Sequence, residues 1–137
     1  QKPFLITPHA YEFFVLTKTE VFGKEEKEKE EIVLQKAKEL KTTILLKGKP
    51  DIISDGQNIF KNFRGTPYMT VGGTGDTLAG ICGALLARGA SILEAAVAGI
   101  YLNCRAGEIA ADKYKDGLLA TDVIETIPEV IKEILKS

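Results

Sequence analysis

Most catalytic signatures that rely on soft ligands or thiols are missing from this chain. It has a single histidine, His9, and two cysteines, Cys82 and Cys104. Zinc-type Cys/His spacing does not occur, and no Cys–His pairing suggests a thiol nucleophile. Two phosphate-binding signatures are absent as well. No G-x-x-x-x-G-K-[ST] string is present, which removes a P-loop. After Gly73-Thr74-Gly75 the third glycine of a dinucleotide-binding fingerprint is missing, because position 78 is leucine. The formal net charge of −1 argues against general affinity for nucleic acid or anionic membranes. No apolar run approaches a membrane span, and no secretory signal pattern is visible. Internal repeats, linkers and low-complexity tracts are also lacking. Both cysteines sit in apolar helical patterns, so buried free thiols in a reducing compartment, the cytoplasm, are expected.

The remaining composition is that of a compact globular domain. Of 137 residues, 45% are hydrophobic and 27% charged, enough for one domain with a real core. Phe4-Leu5-Ile6 reads as a short strand ended by Pro8. Tyr11 to Thr17 reads as a short helix with Phe14 as its buried member. Lys24 to Leu40 is a longer helix, charged on every side at first, with its apolar stripe at Val33, Ala37 and Leu40. Its charged run is a solvated face with i,i+4 ion pairs. Thr43-Ile44-Leu45-Leu46-Lys47 is apolar without alternation, as a strand buried on both faces would be. Asp51–Ser54 and Asn58–Phe63, joined through Asp55-Gly56-Gln57, predict a β-hairpin. Ser91 and Glu94 form a capping box for a helix reaching about Lys113. Thr126-Ile127-Pro128-Glu129 repeats that device for a last helix ending near Leu135. The alternation predicts an α/β layered fold with a mainly parallel sheet flanked by helices.

The densest chemistry lies at Gly72-Gly73-Thr74-Gly75-Asp76, just where a helical pattern begins. Leu78, Ile81, Cys82 and Leu85 then fall on one apolar face. A glycine-rich turn feeding a helix N-terminus offers unpaired N–H groups and the positive end of the helix dipole, which suits an anion. Asp76 would repel a phosphate there, so its chemistry concerns the neighbouring group. General base toward a hydroxyl and partner of a bridging metal ion are both open.

The string Met69-Thr70-Val71-Gly72-Gly73-Thr74-Gly75-Asp76-Thr77-Leu78-Ala79-Gly80 resembles the ADP- or ATP-dependent NAD(P)H-hydrate dehydratases of the ribokinase-like superfamily. Thr7-Pro8-His9-Ala10-Tyr11-Glu12 is similar to that family's T-P-H-x-x-E segment. Leu46-Lys47-Gly48-Lys49-Pro50-Asp51 is similar to its L-K-G-x-x-[DT]. The three stand in the family's order, over essentially the whole chain. One departure is Tyr11, where the family has glycine, which puts the fit near His9 in question. The chain also lacks an initiator Met, and the resemblance places it as the C-terminal half of a larger domain.

The resemblance implies a ribokinase-like fold and a hydro-lyase that repairs hydrated nicotinamide cofactors. It implies Asp76 as catalytic base, with the backbone of Gly73, Thr74 and Gly75 stabilising charge on the transferred group. His9, with Asp76 and Glu12, is implied to contact the hydrate; Glu12 either orients His9 or caps the short helix. Lys47, Gly48, Lys49, Pro50 and Asp51, with Gly75, are implied to bind the nucleotide, ADP or ATP, with magnesium (Mg2+) on its oxygens. The three motifs are expected to face one crevice at strand ends. Asn103 and Arg105 are expected to make helix–helix hydrogen bonds. Self-association, or association with the missing N-terminal half, is expected. Two other readings stay open: a small-molecule kinase of the same superfamily, and a nucleotide-binding module without activity.

Overall fold

The computed structural model describes residues 4–137. The elements in order are β1 (Leu5–Ile6), α1 (Ala10–Thr17), α2 (Glu26–Leu40), β2 (Thr43–Leu46), β3 (Asp51–Ser54) and β4 (Ile59–Asn62). A 3-10 turn at Pro67–Met69 leads to α3 (Thr74–Ala87) and α4 (Ile92–Tyr114). A second, at Lys115–Gly117, leads to α5 (Ala120–Lys136). The chain forms two compact units. One holds the described residues up to Phe63 with Ser91–Val97; the other holds Arg64–Ala90 and Ala98–Ser137.

The first unit carries a sheet of order β1-β2-β3-β4. β1 and β2 pair in parallel, while β2–β3 and β3–β4 pair antiparallel. The layered α/β class stands, but the described strands are not mainly parallel, and connection length explains why. A parallel pair needs a crossover of a dozen or so residues. The helices α1 and α2 supply one between β1 and β2. The links Lys47–Pro50 and Asp55–Asn58 are far too short and can only reverse the chain. β2 is buried at every position, as its unbroken apolar run predicts. The core here is Phe13, Val21, Val33, Ala37, Ile44, Leu46 and Ile52. Phe13, rather than the predicted Phe14, is the buried aromatic of α1; Phe14 is 38% exposed. The helix starts at Ala10, and its inward face carries Ala10 and Phe13. Phe14 lies about 100° further round. Full burial of Phe13 contributes about 1.5–3 kcal/mol.

In the second unit, α3 buries Thr77, Leu78, Ile81 and Cys82. Of these, Ile81 belongs to a core with Leu102, Ala106, Ala110, Leu118, Val123 and Val130. The Ser91–Glu94 capping box that opens α4, within the first unit's Ser91–Val97 segment, is present: Ser91 N donates to Glu94 Oε2 at 2.8 Å and Glu94 N to Ser91 Oγ at 3.3 Å. The last helix begins at Ala120, six residues before the predicted Thr126 start, so Pro128 lies inside it. Asp122 is the reason: it accepts from Leu119 N at 2.8 Å and secures an earlier N-terminus. Thr126 is then a helical residue, and its hydroxyl donates to the Asp122 carbonyl at 2.7 Å. Cys82 and Cys104 are buried and form no disulfide with each other, and burial pushes the Cys82 thiol up to about 11. Among the described residues no helix is long and apolar enough to cross a membrane.

Candidate active site

In the second unit the candidate residues form the turn into α3. Gly73 caps the helix at φ 96°, a left-handed conformation that suits glycine alone. A Cβ at Gly73 would also come within 2.9 Å of the Ala120 methyl, so the position excludes a side chain twice over. No side chain caps α3. Its first backbone bond runs from Thr77 N to Gly73 O at 2.9 Å. The amides of Thr74, Gly75 and Asp76 therefore precede the intrahelical ladder and have no partner within it. Asp76 occupies the third helical position and is exposed at the turn.

Four hydroxyl contacts brace this turn from beneath. Thr74 Oγ1 stands 3.0 Å from the Met69 carbonyl and 3.1 Å from that of Val71. Thr77 Oγ1 lies 2.7 Å from both the Thr74 carbonyl and Asn103 Oδ1 on α4. Upstream, Glu108 holds the incoming segment, accepting from Gly65 N at 2.8 Å and Arg64 Nη1 at 2.9 Å. A largely apolar groove of about 1000 Å³ opens beside Asp76, lined along α3 by Ile81 and Leu85 and along α5 by Ile124, Ile127 and Ile131.

In the first unit the structure brings together the residues that follow β1 and β2. Lys47 N donates to the Pro8 carbonyl at 2.8 Å, tying the two strand ends to each other. His9 caps α1 in a reciprocal box. Its Nδ1 accepts from Glu12 N at 3.3 Å, and its own N–H donates to Glu12 Oε2 at 2.8 Å. In a neutral ring that bond leaves the proton on Nε2, which lies 3.5 Å from Glu12 Oε1. Glu12 Oε2 also lies 3.8 Å from Lys47 Nζ. The backbone N–H of His9, and behind it the Lys47 and His9 charges, hold the Glu12 carboxyl below its usual range. Glu12 thus caps the helix, and its second oxygen lies beside the His9 ring.

Within Lys47–Asp51 the residues divide by exposure. Lys47 and Pro50 are half-buried, Gly48 and Lys49 are exposed, and the Lys49–Pro50 peptide is cis. Asp51 is buried and turned inward: it accepts from Gly48 N at 3.0 Å and from Asn62 Nδ2 at 2.8 Å. Burial pushes its carboxyl up despite those bonds. Asp51 therefore shapes the loop, while Lys47, Gly48 and Lys49 are its reachable groups.

One contributor is hard to see in sequence: Thr77, for which a hydroxyl one turn after Thr74 on an apolar face is the available signal. Asn103 and Arg105 do make the helix–helix bonds that their positions predict. Arg105 holds Glu133 of α5 through Nε at 3.1 Å and Nη2 at 3.0 Å.

Comparison with known proteins adds a family to this geometry. Residues 1–129 match the model of a carbohydrate-kinase-like family described as NAD(P)H-hydrate dehydratase. The chain is 44% identical over 132 residues to an ADP-dependent (S)-NAD(P)H-hydrate dehydratase of Cenarchaeum symbiosum, covering 93% of this chain and 44% of the relative. It is 44% identical over 126 residues to a bifunctional NAD(P)H-hydrate repair enzyme of Pyrobaculum aerophilum, covering 92% of this chain and 25% of the relative. The chain thus spans less than half the length of these curated relatives. A solved ADP/ATP-dependent NAD(P)H-hydrate dehydratase of Bacillus subtilis, co-crystallised with ATP/Mg2+, superposes with a TM-score of 0.86. The two are 31% identical, over 96% of this chain and 49% of that one.

Proposed function

The chain belongs to the NAD(P)H-hydrate dehydratase family, and we propose that the protein it forms dehydrates the S-epimer of hydrated NADH or NADPH at the expense of an adenine nucleotide. The observation that carries this reading is the uncapped α3 N-terminus with Asp76 at its third position. Three free amides suit a phosphoryl group, and a carboxylate beside them suits a hydroxyl that attacks it. ADP is the proposed co-substrate, after the relative from Cenarchaeum symbiosum that is described as ADP-dependent.

In this mechanism Asp76 accepts the proton of the ring hydroxyl as its oxygen attacks the terminal phosphorus of ADP. The P–O bond to AMP breaks, and AMP leaves. The backbone N–H groups of Gly73, Thr74 and Gly75, together with that of Asp76, receive the charge that builds on the equatorial oxygens, as an oxyanion hole does. The ring nitrogen lone pair then expels phosphate by breaking the C–O bond, and loss of the neighbouring ring proton restores the dihydropyridine. His9, with Nε2–H outward, donates to the hydrate. Lys47 supplies a point charge, and Gly48 and Lys49 supply backbone and side-chain donors, to the nucleotide phosphates. Asp51 serves by holding that loop in shape.

Among the described residues no group of three or more acidic, histidine or cysteine side chains could hold a metal ion. The side chains present do not build a magnesium cage, and the steps above use none. We place magnesium only as the nucleotide's counter-ion, held by phosphate oxygens.

The test is a product assay. Supplied with the S-hydrate and ADP, the full-length protein should regenerate the absorbance of the reduced cofactor and form one AMP and one phosphate per turnover. A stable phosphorylated alcohol would assign it to the kinases instead.

A further inference from the structure

We propose that Asn103 is a positioning residue for this reaction, fixing the first turn of α3 through Thr77 so that the turn's amides and the Asp76 carboxylate meet the phosphoryl group in register. The inference rests on the function proposed above and adds a residue on another helix to it.

One face of α4 carries Gly99, Asn103 and Gly107, spaced four apart, so they lie in a row on one side of the helix. The two glycines lie where side chains of neighbouring segments come close. A Cβ at Gly99 would stand 2.5 Å from Cys82 Sγ, and one at Gly107 would stand 2.2 Å from Met69 Sδ. A small apolar residue would serve between them, as Ala106 and Ala110 do nearby. The chain places an amide there, and Asn103 is only 4% exposed. Burying an amide is unfavourable unless its polar atoms are satisfied. Both ends of this one turn to the same target. Its Oδ1 lies 2.7 Å from Thr77 Oγ1, and its Nδ2 lies 3.4 Å from the Thr74 carbonyl.

The proton count gives a closed arrangement. The single Thr77 hydroxyl proton is shared between the Thr74 carbonyl and Asn103 Oδ1, both at 2.7 Å, and an Asn103 Nδ2 proton goes to the Thr74 carbonyl. Thr74 and Thr77 bracket Asp76 in sequence, so the two bonds clamp the turn on either side of the reacting carboxylate. Apolar packing sets how close two helices come and tolerates rotation about their axes. Directional hydrogen bonds remove that rotation. Donors aimed at a transferring group need this, since a displacement of about 1 Å costs about 10²-fold in rate.

Three variants of the full-length protein test the clamp: Asn103→Leu, Thr77→Val and the two together. Each removes the polar pair while keeping an apolar filling. Read together are the thermal midpoint, kcat, KM for nucleotide, and amide exchange at Gly73–Asp76 without ligand. The expected result is a kcat lower by about 10- to 100-fold, with nucleotide KM within about threefold. The midpoint should stay near that of the parent, the four amides should exchange faster, and the double variant should be no worse than the poorer single. An unchanged kcat with a lower midpoint would make the pair mere packing and overturn the proposal. So would losses that multiply in the double variant, unchanged exchange at the turn, or failure of both single variants to fold. Amide exchange is read without turnover, so a wrong assignment of the reaction would leave it intact as a test of the clamp.

Discussion

The turn at Gly73–Asp76 and the loop at Lys47–Asp51 both offer donors to an anion, yet they are built from opposite materials. The turn uses backbone. Its capping glycine at φ 96° admits no side chain, and its bracing groups, Thr77 and Asn103, are buried beneath it. The loop uses side chains at the surface. Lys47 is partly exposed and faces Glu12 at 3.8 Å, a distance that fixes little. Only Asp51, buried between Gly48 and Asn62, gives that loop a rigid member. Fixed amides cannot reorganise during the reaction, so their whole effect is available where charge develops. A lysine on a flexible stem follows a ligand instead and contributes to affinity. The turn should therefore govern rate, and the loop should govern binding.

The sharpest way to break that division is Asp76→Asn in the full-length protein. The substitution keeps the shape and removes the base. Turnover should fall by roughly 10²–10⁴-fold from the lost proton transfer alone. Nucleotide affinity should hold or rise, because a negative charge beside the phosphates has gone. Single-turnover kinetics together with nucleotide titration read both quantities, and near-normal turnover would remove Asp76 from the mechanism. A smaller effect of the opposite kind is expected for Lys47→Ala. Nucleotide binding should weaken by about 1–3 kcal/mol, the scale of a lost charged hydrogen bond. The rate at saturating nucleotide should change little. Calorimetry giving equal dissociation constants would sink the assignment, and a loss confined to kcat would erase the contrast between the two regions.

How far each region could be read in advance follows from the same contrast. The glycine at Gly73 announces a backbone site because its conformation, at φ 96°, requires one, and the apolar face at Leu78, Ile81 and Cys82 places the helix that follows. His9, Glu12 and Lys47 stood out as residue types. The His9–Glu12 box is local, whereas the approach of Lys47 to Glu12 depends on two strand ends meeting, which local pattern does not encode. Antiparallel pairing of β2 with β3 was hidden because a fully buried strand looks alike in either sense; the short Lys47–Pro50 link was the overlooked clue. The choice of Phe13 over Phe14 turned on where α1 starts, and helix starts are set by single capping bonds. The early start of α5 has the same cause, in Asp122. For Asn103 a helix–helix bond is legible in sequence, but its partner Thr77 is not, since a lone amide in an apolar helix does not say which residue across the interface it meets.

One labelling experiment tests the central claim, that the hydrate's own hydroxyl attacks the nucleotide. The S-hydrate carrying 18O in its ring hydroxyl is turned over with unlabelled ADP in ordinary water, and the phosphate is analysed by mass or by 31P resonance. Attack on the terminal phosphorus followed by C–O cleavage predicts one 18O in every inorganic phosphate released. Unlabelled phosphate, with the 18O recovered in water, would mean that nucleotide hydrolysis and dehydration are separate events and would contradict the account.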